Sequence, residues 1–316
     1  MNAVPARSVS TTASGPGEPL ADLIEDEASR ETLVRLLAER APEALQRALG
    51  TRAKVEAARG AKVLSFAGVR GGVGTSTLAV NVAWLLAHEA NVKVALVDLD
   101  LRLGTVALSL DLEPTHGLRE VLESPDRIDS LFISSAMARE SDTLFVLSGE
   151  EPLADRFHID PSAFDTLLTN LRANFDWVVI DVPRAAVIPE ERILAQSDKV
   201  VLVSDLTLPG MRDAVRLLGW AKSVAPRAEI SVVVNKAGAH AKAEVPRADF
   251  ERGLETKIAH VLPYDPKAAG AASNAGRPIA VAGKGSPLAK AIRQAGVELS
   301  GTEKPRNKKL SLFRRK

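Results

Sequence analysis

KVLSFAGVRGGVGTSTLAVNVAWLL, from Lys62 to Leu86, is the stretch that decides the fold. A hydrophobic strand runs into Gly71, Gly72 and Gly74, and a helix opens directly after them with Leu78, Val82, Leu85 and Leu86 on its buried face. Glycines let successive backbone N–H groups turn into one concavity, and a helix N-terminus adds positive potential there. Strand, glycine turn and helix in this order form the setting of a phosphate-binding loop. The usual spacing G-x-x-x-x-G-K-[ST], laid on Gly74, is broken twice: Val69 stands at the first glycine and Thr75 at the lysine, while Ser76 keeps its place. A dinucleotide fingerprint fits no better, because Thr77 stands where its third glycine belongs. Taken alone, the segment also suits a tight turn that needs glycine only for its geometry.

Outward from this loop the chain alternates strand-length apolar runs with amphipathic helical stretches. The pattern predicts strands at Lys62–Val69, Lys93–Asp98, Thr143–Leu147, Trp177–Asp181, Lys199–Ser204, Glu229–Val234 and Ile258–Pro263. Helices are expected at Ser76–His88, Ser162–Phe175, Glu190–Gln196, Pro209–Val224, Ala248–Glu255 and Pro287–Leu299. The strands carry Val, Ile and Leu on both faces, as in a parallel sheet covered by helices. The expected fold is therefore α/β, a doubly wound, mainly parallel sheet with right-handed crossovers. The second strand ends in Asp98-Leu99-Asp100, a later one in Asp181, and Asn235-Lys236 follows the strand ISVVV. Carboxylates at the carboxyl ends of parallel strands share an edge with the phosphate loop, where they can hold Mg²⁺ or orient a water. Each aspartate alone suits a helix cap or a turn equally well; their joint order beside the glycine turn is what points to a site.

The remaining sequence narrows the classes. The chain has 316 residues and no cysteine, which excludes disulfides, thiolate zinc sites and cysteine nucleophiles. No apolar run approaches the roughly 18 residues of a membrane-spanning helix, and Met1–Gly17 holds no apolar stretch of a secretory signal, so the expected location is cytoplasmic. The five histidines are scattered without a metal-ligand spacing. Net charge is +1, but Lys304–Lys316 carries seven basic and no acidic side chains; subtracting these leaves −6 for residues 1–303. An acidic body makes nucleic acid an unexpected partner. Residues 1–18 read as disordered, residues 19–61 as a short helical arm divided near Pro42, residues 62–302 as the nucleotide-binding domain, and residues 303–316 as a basic tail.

The residues around the loop and strand ends carry a further signal. RGGVGTST, the stretch DLDLRLGTVALSLDLEPTHGLREVL from Asp98, FDWVVIDVPR, DKVVLVSDLTLPGMRDAVRLL and VLPYDPKAAGAASNAGRPI together resemble the MinD/ParA family of deviant Walker ATPases, a P-loop NTPase family. Within it they are most similar to the CpaE/TadZ pilus-assembly branch. The resemblance covers roughly Lys62 to Ile292. The 61 residues before Lys62 are too few for the receiver-like domain common in that branch.

The resemblance implies ATP and Mg²⁺ as cofactors, with nucleotide contacts along Arg70, Gly71, Gly72, Val73, Gly74, Thr75, Ser76 and Thr77. It implies that Ser76 ligates Mg²⁺, that Asp98 and Asp181 hold it through water, and that Asp100 orients the attacking water. Asn235 would contact adenine, with Pro263 and Asp265 near the base. Arg70 stands at the family's signature lysine and would reach the partner's phosphates in a face-to-face nucleotide-sandwich homodimer. The implied role is a dimerising scaffold that positions a tight-adherence (Flp, type IV) pilus secretion system, with pilus machinery proteins as partners. Losing the loop lysine removes a charge-assisted contact worth about 1.5–3 kcal/mol, or about 10- to 100-fold in affinity, so weak or absent hydrolysis is expected. A MinD-like ATPase cycling on the membrane, an interaction scaffold without nucleotide, and a DNA-partitioning role are the alternatives. The tail, with Leu310, Leu312 and Phe313 among its basic residues, suits either an anionic surface at the inner membrane or a solubilising extension.

Overall fold

The computed structural model describes residues 60–155, 160 and 162–301. The expected disordered start, the helical arm up to Arg59 and the basic tail lie outside the described residues.

The sheet has eight strands in the order β3-β4-β2-β5-β1-β6-β7-β8. They are β1 (Lys62–Gly68), β2 (Val94–Asp98), β3 (Ala138–Arg139), β4 (Leu144–Leu147), β5 (Trp177–Val182), β6 (Lys199–Ser204), β7 (Glu229–Ala237) and β8 (His260–Pro263). All neighbouring pairs run parallel except β3–β4. From β1 the chain first moves to β2 on one side and later crosses to β6 on the other, so β1 sits at the point where the winding reverses. Such a reversal opens a crevice at the carboxyl ends of the strands.

Residues of β1 alternate between two cores. Val63 and Ala67 pack with one group of helices, Leu64 and Phe66 with the other. The first face is covered by α2 (Gly117–Glu123), α3 (Ser130–Ala136), α4 (Ala163–Asn174), α6 (Glu191–Ala195), α7 (Leu208–Val224) and α8 (Arg247–Leu254). The second is covered by α1 (Thr75–Glu89), α9 (Pro266–Asn274), α10 (Ile279–Ala282) and α11 (Pro287–Ser300). The short α5 (Arg184–Val187) follows β5. Phe66 is fully buried; truncating such a side chain to alanine costs about 3–5 kcal/mol. Ser65, the one polar residue in the middle of β1, is buried because its hydroxyl bonds Ser197 Oγ at 2.7 Å, which donates to Ile193 O at 2.7 Å.

The doubly wound, mainly parallel α/β sheet is as the sequence implies, with local differences. β3 is an additional antiparallel strand, formed because Glu140 and Ser141 N–H groups both reach Leu144 O and fold a tight turn onto β4. β8 starts two residues later than the apolar run suggests: Ile258 is buried, but its N–H goes to Glu251 Oε1 at 3.1 Å and its carbonyl accepts from Arg247 Nη2 at 3.1 Å. Those bonds tie its backbone to α8 and not to the ladder. β7 runs three residues further than expected, through a bulge between Val234 and Ala237 where Lys236 takes a φ of 57°. Bulges re-aim side chains at strand ends, and this one carries Asn235 and Lys236.

Candidate functional site

β1 leads through Val69, whose N–H bonds Val203 O at 2.9 Å, into the glycine turn, and α1 opens at Thr75. Gly72 has a φ of 76° and Gly74 a φ of 92°, conformations that L side chains rarely adopt. Gly74 has a second constraint: a Cβ there would collide with Asn235 Nδ2. Above Gly71 and Gly72 the space is open, so the turn faces a cavity and not packed protein.

The turn is fastened from β7. Asn235, buried at the bulge, donates from Nδ2 to Val73 O at 2.8 Å, and Lys236 donates from Nζ to Gly72 O at 2.6 Å. Two consecutive loop carbonyls are thereby held against β7, on the side away from the peptide N–H groups. That is the orientation a phosphate cradle needs. Thr75 Oγ1 lies over Gly68, at 2.5 Å from where a Cβ on that glycine would sit, so the glycine at the end of β1 is what admits the Thr75 side chain.

The carboxylates meet the loop from the neighbouring strands. Asp98 on β2 pairs in register with Asp181 on β5, both buried. Asp98 accepts from Asp100 N at 3.1 Å and from Val106 N at 3.1 Å. The Ser76 hydroxyl, in the first turn of α1, lies close enough to Asp181 to favour its ionised form. Burial pushes the Asp98 carboxyl up to about 6, opposed by its backbone hydrogen bonds and reinforced by Asp100. Burial likewise pushes Asp181 up to about 7, opposed by Ser76 and reinforced by the charges of Asp98 and Asp100. Among the described residues neither carboxylate has a basic partner. Two buried carboxylates abreast, next to a hydroxyl, form an all-oxygen donor set that suits a hard divalent cation. Asp100 Oδ1 accepts from Arg102 N at 3.2 Å and Leu103 N at 3.0 Å, which folds the connection after β2 over the site. Gly104 in that connection approaches so closely that a Cβ would stand 2.5 Å from Asp98 Oδ2.

These groups share one cavity of about 680 Å³. Arg70, Gly71, Gly72, Gly74, Thr75, Ser76 and Thr77 line it from the loop. Asp98, Asp100 and Asp181 line it from the central strands, and Asn235, Pro263 and Asp265 from the far strands. Val73 is the exception among the expected contacts: its side chain is buried in the α1-side core, and only its peptide belongs to the loop. Asp265 Oδ1 caps α9 by accepting from Ala268 N at 3.0 Å, so one of its oxygens is engaged structurally. Arg184, Lys236 and Tyr264, to which the sequence assigns no role, also line the cavity. The Asn235-Lys236 pair after a buried strand was the available signal for Lys236.

A family model described as an AAA domain (AAA_31) matches residues 61–232. Over 242 residues the chain is 27% identical to the septum site-determining protein MinD of Thermotoga maritima, covering 73% of this chain and 87% of that protein. Over 217 residues it is 24% identical to the septum site-determining protein MinD of Bacillus subtilis, covering 67% and 79% respectively. Among solved structures it is similar to the MinC:MinD cell division protein complex of Aquifex aeolicus, with a TM-score of 0.65, 25% identity, and coverage of 77% of this chain and 97% of that one. It shares its fold with a ParA family ATPase from Chlorobium tepidum, with a TM-score of 0.69, 21% identity, and coverage of 76% and 98%.

Proposed function

This chain belongs to the AAA-domain family, in its MinD/ParA group of P-loop NTPases, and from that premise we propose that it is an ATP- and Mg²⁺-binding, dimerising scaffold. The observation that carries this reading is the glycine turn, fastened through Gly72 O and Val73 O, lining one cavity with the Asp98–Asp181 pair and Ser76. The turn would cradle phosphates through backbone N–H groups and the α1 N-terminus. Ser76 would ligate Mg²⁺, with Asp98 and Asp181 reaching it through water. The metal supplies charge neutralisation between phosphate oxygens when bound. Asn235, Pro263 and Asp265 would border the base.

With Thr75 at the lysine position, this loop contributes no side-chain cation to the transferring phosphate, so slow or absent turnover follows. A slow ATPase is the second reading, favoured by Asp100, which lines the cavity where it could orient a water. Titrating the protein with ATP and Mg²⁺ in a calorimeter tests the proposal. Binding at micromolar to sub-millimolar affinity is expected; no binding up to several millimolar would leave a scaffold without nucleotide.

Pairing through the site is supported by where apolar side chains are exposed. Six of the eight exposed large apolar residues among those described are Leu103, Leu108, Leu153, Ile188, Leu208 and Tyr264. Each lies in the stretch that follows the carboxyl end of a strand, the edge that carries the loop. A second copy meeting this edge face to face would cover them and bring Arg70 toward the partner's phosphates. The MinC:MinD complex is the assembly described for the Aquifex aeolicus relative; for this chain the sequence resemblance supports pilus secretion proteins as partners. Loss of pilin secretion in cells lacking this chain, restored by the intact gene, tests that role. No helix among the described residues is long and apolar enough to cross a membrane; contact with an anionic inner-membrane surface would fall to residues 304–316. Liposome flotation with and without Leu312 and Phe313 tests that contact.

A further inference from the structure

With Thr75 in place of lysine, the loop from Gly71 to Thr77 carries no cationic side chain. The cavity is nevertheless lined by three basic residues, Arg70, Arg184 and Lys236. They are not equivalent. The Lys236 ammonium is bonded to Gly72 O and holds the loop itself. Arg70, in the turn, is the residue assigned above to the partner's phosphates. Arg184 is exposed, and among the described residues its guanidinium has no hydrogen bond or ion pair.

The sheet places Arg184 well for a bound anion. Val182 at the end of β5 pairs with Ala67 near the end of β1, so the chain leaving β5 runs beside the chain entering the glycine turn. Pro183 is extended, with a φ of −63° and ψ of 141°, and Arg184 is the first residue of α5. Three residues earlier, Asp181 lines the same cavity as Ser76. Arg184 therefore emerges on the cavity wall shared by the loop, the Ser76 hydroxyl and the carboxylates that would hold Mg²⁺.

We propose that Arg184 grips the terminal phosphate of the bound nucleoside triphosphate in cis and stands in for the missing loop lysine. The inference rests on the ATP-binding reading above and assigns within it the source of the cation. A guanidinium is always charged and can grip two phosphate oxygens at once. Coming from β5 and not from the loop, it would touch the outermost phosphate and leave the inner ones to the backbone cradle. The site would then distinguish triphosphate from diphosphate through this one side chain.

Calorimetric titration with ATP and with ADP, Mg²⁺ present, tests this on the wild type, Arg184→Gln, Arg184→Lys, and Arg184→Gln combined with Thr75→Lys. Arg184→Gln is expected to weaken ATP by about 10- to 100-fold while leaving ADP within about threefold. Arg184→Lys should lie between wild type and Arg184→Gln, and Thr75→Lys should restore ATP affinity to the Arg184→Gln protein. Wild-type ATP affinity in Arg184→Gln, or an equal loss for ATP and ADP, would overturn the assignment while leaving nucleotide binding intact. A wild-type protein that binds neither nucleotide would overturn the ATP-binding reading and this inference together.

Discussion

Asp98 and Asp181 stand opposite each other on adjacent parallel strands, and both are buried. Their carboxyls are pushed up to about 6 and about 7, chiefly by burial. Each binds its proton more tightly in the folded chain than in the unfolded one. The stability they contribute is present below the ordinary carboxylate range, near pH 4, and is lost as pH rises through about 7. Asp181→Asn should therefore raise the Tm of the nucleotide-free protein by a few degrees at pH 8 and change it little at pH 4. The same variant should lose the Mg²⁺-dependent part of the stabilisation by ATP. Differential scanning calorimetry across this pH range checks both; a wild-type pH profile in the variant would show that the pair does not titrate as described.

Proton release gives a separate reading of the same pair. A cation that favours both ionised carboxylates should expel protons when Mg²⁺ and ATP bind at pH 6, and few at pH 8.5. Binding heats measured at pH 6 in buffers of different ionisation enthalpy should diverge. Identical heats would count against the carboxylates as the cation's site.

Thr75→Lys should tighten ATP by about 10- to 100-fold, the value of one charge-assisted contact. Direct titration reads this. An unchanged affinity would mean that position 75 does not face the phosphates.

Arg70 makes no hydrogen bond or ion pair among the described residues, so Arg70→Ala should leave the monomer's stability within about 0.5 kcal/mol. It should abolish ATP-dependent dimerisation in sedimentation velocity. A dimer that persists would remove Arg70 from the interface.

Gly74→Ala meets two obstacles: a φ of 92°, and a Cβ directed into Asn235 Nδ2. Backbone strain alone costs about 1–3 kcal/mol. The variant should unfold at lower denaturant and bind ATP weakly. Adding Asn235→Ala should relieve the collision but not the strain, so only part of the stability returns.

The sequence carried what is local. Strand, glycine turn and helix are adjacent in the chain, and the Val-, Ile- and Leu-rich runs state their burial on both faces without help from partners. The carboxylates were legible because strand ends in a parallel sheet share an edge. What was hidden depended on neighbours distant in the chain. Lys236 reaches Gly72 across 164 positions, and only the strand order and the bulge in β7 bring the two together. Val73 looked like any other loop residue, yet its side chain fills the core under α1. Arg184 sits in a motif that could be quoted from the sequence, but its place on the cavity wall, without a partner among the described residues, is a property of the folded sheet. The two residues of β3 were too few to leave a periodic signal.

That small β3 has a consequence for self-association. It occupies one rim of the sheet with only two residues, one of them the exposed Arg139, and the opposite rim, β8, has four and ends in Pro263. Short, charged or proline-bearing rims offer little template for another chain's backbone. Growth by adding sheet to sheet is thus discouraged at both sides, which leaves the strand-end face free to serve the pairing proposed above. In the proposed pairing, contact through one such face would use that face up, so the arrangement would close with two molecules and not extend into a filament.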